Sequence, residues 1–169
     1  MKATLEVIEK MRADGIIGNY AIGGAVGATV YLEPLATFDI DIFISFKKVQ
    51  PGLLVSLSPI YEYLQAKGYQ SVEEHIMIEG WKVQFLPTHD ALLDEALSAA
   101  VRVSIYDAET WVMTAEHLMA IALKLGRPKD YNRIDQFISE EAFDETYLMP
   151  ILQRHGLIEK WNAHRQKIL

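Results

Sequence analysis

The clearest hydrophobic pattern in the chain is the alternation of isoleucines with other residues between Phe38 and Phe46. A period of two is typical of a β-strand that buries one of its faces. The apolar face would carry Phe38, Ile40, Ile42 and Ile44, and the opposite face Asp39, Asp41, Phe43 and Ser45. The pattern therefore predicts a strand with two aspartates side by side on one face.

Apolar positions elsewhere predict an alternation of helices and strands up to residue 113. Helical spacing predicts helices over residues 3–14, 25–32, 57–67 and 91–100, with Pro34 ending the second. Runs rich in β-branched and aromatic residues predict strands over residues 20–22, 71–78, 81–86, 101–105 and 110–113. Glu79-Gly80 would form the turn of a β-hairpin.

The pattern changes after Thr114, where it becomes helical. Helices are predicted over residues 115–125, 130–140, 144–155 and 157–167, with breaks at Gly126-Arg127-Pro128 and at Gly156. The predicted fold class is therefore α/β (α+β). A mixed core over residues 1–113 would carry a helical region over residues 114–169, packed on it as one compact unit.

Composition narrows the possible functions. The formal net charge of -7 argues against non-specific binding of nucleic acid through bulk charge. The chain contains no cysteine, which excludes disulfides and thiolate sites. Its first residues read as an amphipathic helix rather than a signal peptide, and no apolar run is long enough to span a bilayer. We expect a cytoplasmic protein without a membrane partner.

The two aspartates on the predicted strand could hold a metal ion. Residues at i and i+2 of a strand lie on the same face, with Cα atoms about 6.6 Å apart. Their carboxylates can share Mg²⁺, which prefers a few carboxylates together with water and phosphate oxygens. A solvated acidic strand face explains an isolated Asp-x-Asp pair equally well, so the pair alone does not decide between these interpretations.

Glycines upstream of the aspartates narrow the choice. Gly23-Gly24 lies between a predicted strand and a predicted helix, where glycine permits close approach of a ligand or simply a tight turn. The GGAVGA run lacks the Gly-Lys-Ser/Thr of a Walker A loop, and its spacing is not that of a dinucleotide fingerprint. Phe43 and Ile44 also exclude an EF-hand calcium loop.

The segment GGAVGATVYLEPLATFDIDIF resembles the signature of the nucleotidyltransferase superfamily, which places Gly-Gly or Gly-Ser before two aspartates on the next strand. It is most similar to AbiEii-type toxins and related minimal nucleotidyltransferases. Thr37 fits that pattern, whereas Leu35 stands where an arginine is often found. A second segment, AEHLMAIALKLGRPKDYNRI, resembles the helix and basic turn of these proteins. The resemblance implies a mixed sheet with flanking helices and a C-terminal helical segment.

The resemblance also implies roles for individual residues. Asp39 and Asp41 would bind Mg²⁺, with Mn²⁺ as the alternative ion, and Lys124 would join them as a catalytic residue. The nucleotide-binding residues would be Gly23, Gly24, Thr37, Gln84, Lys124, Arg127, Lys129 and Asp130. Asp130 would orient Arg127 or Lys129. The basic turn could instead complement the dipole at a helix C-terminus.

One departure from the superfamily pattern concerns its third carboxylate. That residue belongs on a later strand, where the chain has Gln84 in WKVQFLP. An amide is a poor general base. Either two carboxylates suffice, or another acid contributes, or catalysis is weak or lost. Glu73, Glu74 and Glu79 are the acids on the neighbouring predicted strand.

The predicted function is a magnesium-dependent nucleotidyltransferase that moves a nucleoside monophosphate from an NTP to a hydroxyl of RNA, protein or a small molecule. An antitoxin-type protein could be its partner. The alternative is a catalytically impaired module on the same fold that binds a nucleotide or a partner, as Gln84 suggests. A third interpretation is an acidic interaction domain in which the aspartates are only solvated.

Overall fold

The computed structural model describes residues 1–33, 37, 39–45 and 56–167 of the chain. The strands are β1 (Tyr20–Ile22), β2 (Asp39–Ile44), β3 (Gln70–Val72), β4 (His75–Ile78), β5 (Trp81–Pro87), β6 (Val101–Ile105) and β7 (Ala108–Val112). The helices are α1 (Lys2–Ala13), α2 (Gly24–Ala28), α3 (Ser58–Ala66), α4 (Ala91–Ser98), α5 (Ala115–Leu125), α6 (Pro128–Ser139), α7 (Glu145–Arg154) and α8 (Ile158–Arg165). None of these helices is long and apolar enough to cross a membrane.

The described strands form one mixed sheet in the order β3-β4-β5-β2-β1-β7-β6. Strand β2 runs parallel to β5 and antiparallel to β1, and β1 runs parallel to β7. The sheet and its flanking helices confirm the predicted α/β fold class. Because β2 lies between β1 and β5, the two aspartates are placed at the middle of the sheet rather than at an edge.

The predicted alternation of β2 is present. Ile40, Ile42 and Ile44 are fully buried. They belong to a hydrophobic cluster with residues of α1 and α3, so these two helices cover this face of the sheet. The aspartates consequently lie on the opposite face. Phe38 and Phe46, the ends of the predicted strand, lie outside the described residues, as do Pro34 and Leu35.

Helix α5 is at the centre of a second hydrophobic cluster. The side chains of α5 in it include Leu118, Met119 and Leu123, and they pack with residues of α4, α6, α7 and α8. Ala21 of β1 belongs to this cluster, whereas its neighbours Tyr20 and Ile22 belong to the first, so the two clusters lie on opposite faces of the sheet. The core is shared by residues from both sides of residue 114. The boundary between the predicted core and helical region stays a prediction.

Two predicted elements were wrong in their extent. The predicted helix over residues 25–32 ends at Ala28, where the Thr29 hydroxyl donates to the carbonyl of Val26 at 2.7 Å and the chain turns. The predicted strand over residues 71–78 is divided into β3 and β4 by a tight turn in which Glu73 has φ +57°. Neither residue of that turn is glycine or asparagine, so the sequence gives no turn signal there.

Glu95 of α4 connects three helices of the second cluster. Its carboxylate accepts hydrogen bonds from Arg154 and from His155, the latter at 2.7 Å, at the end of α7. It also lies 3.4 Å from Nε2 of the buried His117 of α5. The Arg154 hydrogen bond, followed by that of His155, lowers the pKa of Glu95 to about 2. This network fixes α7 against α4 and α5.

Candidate functional site

A cleft of about 850 Å³ lies on the face of the sheet that carries the aspartates. It is bounded by β2, β5, the start of α2, the start of α4, and the consecutive helices α5 and α6. The predicted site residues that line it are Gly24, Thr37, Asp39, Asp41, Gln84, Lys124, Arg127, Lys129 and Asp130. The fold therefore brings together residues that are up to about a hundred positions apart in the sequence.

Asp39 and Asp41 occupy different environments. Asp39 is exposed, and its carboxylate accepts a hydrogen bond of 3.1 Å from the hydroxyl of Thr37. Asp41 is half-buried. Burial raises the pKa of the Asp41 carboxyl and the charge of Asp39 raises it further, while Arg133 and Lys129 oppose the shift. Two carboxylates held together on one strand are thus an unfavourable pair unless a positive charge compensates them.

The two carboxylates are compatible with the predicted magnesium site. Mg²⁺ takes oxygen ligands and retains several positions for water or phosphate, which suits a donor set of only two carboxylates with one of them exposed. Among residues 1–33, 37, 39–45 and 56–167 no group of three histidine, cysteine or acidic side chains could hold a metal. An ion held by Asp39 and Asp41 would need most of its ligands from water or from a bound substrate, and the magnesium site stays a prediction.

Gly23 and Gly24 are explained by their contact with β2. The backbone N–H of Gly23 donates to the carbonyl of Asp41 at 3.0 Å. Gly24 has φ +57°, and a Cβ added to it would overlap the Asp41 carboxylate and lie 3.0 Å from its Cγ. A Cβ at Gly23 would lie 2.5 Å from the ring of Phe43. Glycine is needed here for the close approach of two segments, and its predicted role toward phosphate stays a prediction.

Gln84 is the neighbour of Asp41 on the adjacent strand. The parallel register of β2 and β5 pairs these two residues directly. The Gln84 amide donates to the carboxylate of Glu74 at 3.4 Å, whereas Glu79 accepts from the hydroxyl of Tyr69. Of the three acids on β3, β4 and their turns, Glu74 is therefore the one in contact with Gln84. An amide occupies the place beside Asp41.

Two of the predicted basic residues already have partners. Lys124 donates to Asp90 at 2.9 Å, and Asp90 also caps helix α4. Arg127 donates to Asp130 through Nε at 2.7 Å and through a terminal nitrogen at 3.1 Å. Asp130 is almost fully buried and also accepts from the backbone N–H of Arg127, so it holds the start of α6 as well as the guanidinium.

Arg133 of α6 is a cleft residue that the sequence interpretation missed. It lines the cleft close enough to Asp41 to lower the pKa of that carboxyl. Its position was accessible from the sequence, because residue 133 is one helical turn beyond Lys129 and lies on the same side of α6. The prediction covered the basic turn GRPKD at residues 126–130, and Arg133 lies one helical turn beyond Lys129.

Comparisons with known proteins identify the fold. No protein-family model and no curated protein matches the chain. Among solved structures, it is similar to an antigenic nucleotidyltransferase-like protein from Paracoccidioides brasiliensis, with 14% identity and a TM-score of 0.55 over 82% of this chain and 74% of that one. It is also similar to the antibiotic-resistance factor ANT(2'')-Ia, with 14% identity and a TM-score of 0.50 over 97% of this chain and 100% of that one. The fold of this protein is that of nucleotidyltransferase-like proteins.

Proposed function

We propose that this protein transfers a nucleoside monophosphate from an NTP to a hydroxyl acceptor and releases pyrophosphate. The observation that carries the proposal is the cleft in which Asp39 and Asp41 face the cationic residues of α5 and α6. That charge arrangement suits a substrate whose phosphate chain is strongly negative and enters together with a cation. The nucleotidyltransferase-like fold supports the same class of reaction.

Charged and apolar residues of the cleft would have different roles in this reaction. Bound Mg²⁺, held by Asp39 and Asp41, would neutralise charge on the phosphate oxygens. Arg127 and Lys124 would add positive charge at the rim, with Arg127 oriented by the buried Asp130. The apolar wall formed by residues such as Leu93, Met113, Leu118 and Ile121 suits a base or an apolar part of the acceptor. The acceptor oxygen would displace pyrophosphate from the α-phosphorus and release its proton to solvent.

The test is a labelling assay with each α-labelled NTP, Mg²⁺ and a cell extract as the source of acceptors. Wild type should transfer label, and Asp39→Asn should lower transfer by at least about a hundredfold, because one of two metal-binding carboxylates is lost. Asp107→Asn is the matched control, since Asp107 is exposed in the β6–β7 turn, where its positive φ also suits asparagine. Equal labelling by wild type and Asp39→Asn would exclude catalysis at this site.

A second candidate function is nucleotide binding without transfer, which the pairing of Gln84 with Asp41 favours. It predicts that NTP binds in calorimetry while no pyrophosphate is released with any acceptor. Gln84→Asp would then create transfer activity by restoring a carboxylate beside Asp41. Pyrophosphate release by wild type in the presence of an acceptor would eliminate this candidate.

The finer form of the proposal is a toxin of the AbiEii type, with RNA, protein or a small molecule as acceptor and an antitoxin-type protein as partner. It is motivated by the Thr37–Asp39–Asp41 pattern of the sequence. Induced expression of wild type should arrest bacterial growth, whereas Asp39→Asn should not. Growth at the same rate with both proteins would exclude a toxin of this type. It would not bear on the transfer reaction, which the labelling assay tests.

A further inference from the structure

Arg133 has donors that no described residue uses. Its Nε is buried and lacks a hydrogen-bond partner. Among residues 1–33, 37, 39–45 and 56–167, no other buried side-chain nitrogen or oxygen lacks one. No hydrogen bond or ion pair of its terminal nitrogens is found within those ranges either. A buried charged donor without a partner costs free energy, so native proteins retain few of them. The Nε itself is enclosed by protein, so a ligand in the cleft would be bound by the terminal nitrogens of the same guanidinium.

The carboxylates near Arg133 do not satisfy it. Asp130, the nearest acid on its own helix, already accepts three hydrogen bonds from Arg127, two from its side chain and one from its backbone. Asp41 lies on the other side of the cleft and acts on Arg133 only through its charge. Burial lowers the pKa of Arg133, with the charges of Asp130 and Asp41 opposing that shift. The guanidinium is a cation that no carboxylate among the described residues neutralises through a hydrogen bond.

Two other cations that line the cleft, Lys124 and Arg127, are in a different condition. Lys124 and Arg127 are paired with Asp90 and Asp130, and their side chains are 48% and 52% exposed. An exposed and paired cation is screened by water and by its partner. Arg133 is half-buried and unpaired within the described part of the chain, so its charge acts on a ligand in the cleft more strongly.

The geometry points to Arg133 as a binding residue for the phosphate oxygens of the NTP. This inference rests on the proposed function, since it assigns a ligand to the same cleft. A guanidinium offers a planar set of donors that matches two oxygens of one phosphate, which an ammonium group does not. A phosphate chain that reaches from the ion at Asp39 and Asp41 to α6 would place its oxygens in front of this group.

A structural role is the competing explanation. Arg133 could act only as the counter-ion of Asp41, which would stabilise the fold without binding a ligand. The two roles differ in the unliganded protein. A counter-ion stabilises it, whereas an unsatisfied buried donor destabilises it, so removal of the guanidinium changes the melting temperature in opposite directions.

The experiment titrates inorganic triphosphate into the protein by calorimetry, in a low-salt buffer with Mg²⁺. Arg133→Met should weaken binding by about tenfold or more, the value of a charged hydrogen bond. Arg133→Lys should retain part of the affinity for triphosphate, because the positive charge remains but the planar pair of guanidinium donors is lost. Arg102→Met is the matched control, since Arg102 is an exposed arginine on β6 that is paired with Glu109 and does not line the cleft. It should bind triphosphate as wild type does.

The same proteins are melted without ligand. The melting temperature of Arg133→Met should equal or exceed that of wild type. Equal triphosphate affinity in Arg133→Met and wild type, no binding by wild type, or a lower melting temperature in Arg133→Met would each overturn the inference. Its failure is distinct from failure of the proposed function. If Asp39→Asn labels acceptors as wild type does while triphosphate binding depends on Arg133, the anion site is supported and the transfer reaction is refuted. If Asp39→Asn abolishes labelling while triphosphate binding does not depend on Arg133, only the role of Arg133 is refuted.

Discussion

The substitution Gly24→Ala tests the close approach of α2 to the acidic pair. Gly24 has φ +57°, and its added Cβ would overlap the Asp41 carboxylate. Two costs are therefore expected, one from the backbone and one from the contact. Gly156 has φ +66° with no heavy atom within 4 Å of an added Cβ, so Gly156→Ala carries the backbone cost alone.

The magnitudes of the two costs differ enough to be separated. An L-residue in the left-handed region costs about 1–2 kcal/mol, which both substitutions share. The overlap with Asp41 adds about 1–3 kcal/mol, because the half-buried Asp41 carboxylate would have to leave its present rotamer. Gly24→Ala should thus lower the free energy of unfolding by about 2–5 kcal/mol, and Gly156→Ala by about 1–2 kcal/mol.

The assay is urea unfolding in EDTA, performed in wild type and in an Asp41→Ala background. Removing the Asp41 carboxylate should reduce the cost of Gly24→Ala to that of Gly156→Ala, while the cost of Gly156→Ala stays unchanged. If Gly24→Ala and Gly156→Ala cost the same in wild type, or if Asp41→Ala leaves their difference intact, the predicted contact between Gly24 and Asp41 is refuted.

Three further substitutions probe charge in and around the cleft. Asp41→Asn should raise the free energy of unfolding in EDTA at pH 7 by about 0.5–2 kcal/mol, because burial and Asp39 raise the pKa of Asp41 and its ionised form opposes folding. Glu95→Gln should lower it by about 1–3 kcal/mol at pH 7, because the folded pKa of about 2 is below the unfolded value and its stabilisation is present at neutral pH. Asp130→Asn should lower it by about 1–3 kcal/mol, since its nearly buried carboxylate serves Arg127.

Each of these three substitutions has its own control, and the free energy of unfolding is again measured with urea. Asp39→Asn should change stability less than Asp41→Asn, because Asp39 is exposed. A loss of stability in Asp41→Asn would contradict the first prediction. The difference between wild type and Glu95→Gln should shrink as the pH falls from about 4.5 toward 2, and a difference independent of pH would contradict the second. The third is wrong if Arg127→Met costs as much as Asp130→Asn, because the exposed partner should matter less.

Local pattern was sufficient to place the isoleucines and the aspartates on opposite faces of β2. The period of two in DIDIFI separates the isoleucines, which are fully buried, from Asp39 and Asp41 on the other face. The same reasoning failed at residues 71–78, where a turn formed by Glu73 and Glu74 interrupts the strand. A turn without glycine, asparagine or proline is stabilised by the pairing of the strands around it, and that pairing is invisible in a local window.

The sequence by itself indicated most of the residues that carry the charges of the cleft, though not Arg133, because the acidic pair and the basic turn are both local motifs. Only the tertiary structure decided how those charges are used. It pairs Lys124 with Asp90, a residue more than thirty positions away, and Arg127 with Asp130. It also places Gln84 beside Asp41 and leaves Arg133 without a partner in the described residues. The physical reason is that a charge acts over a few ångströms of space, and distance in space is set by the packing of the sheet and helices rather than by position in the chain.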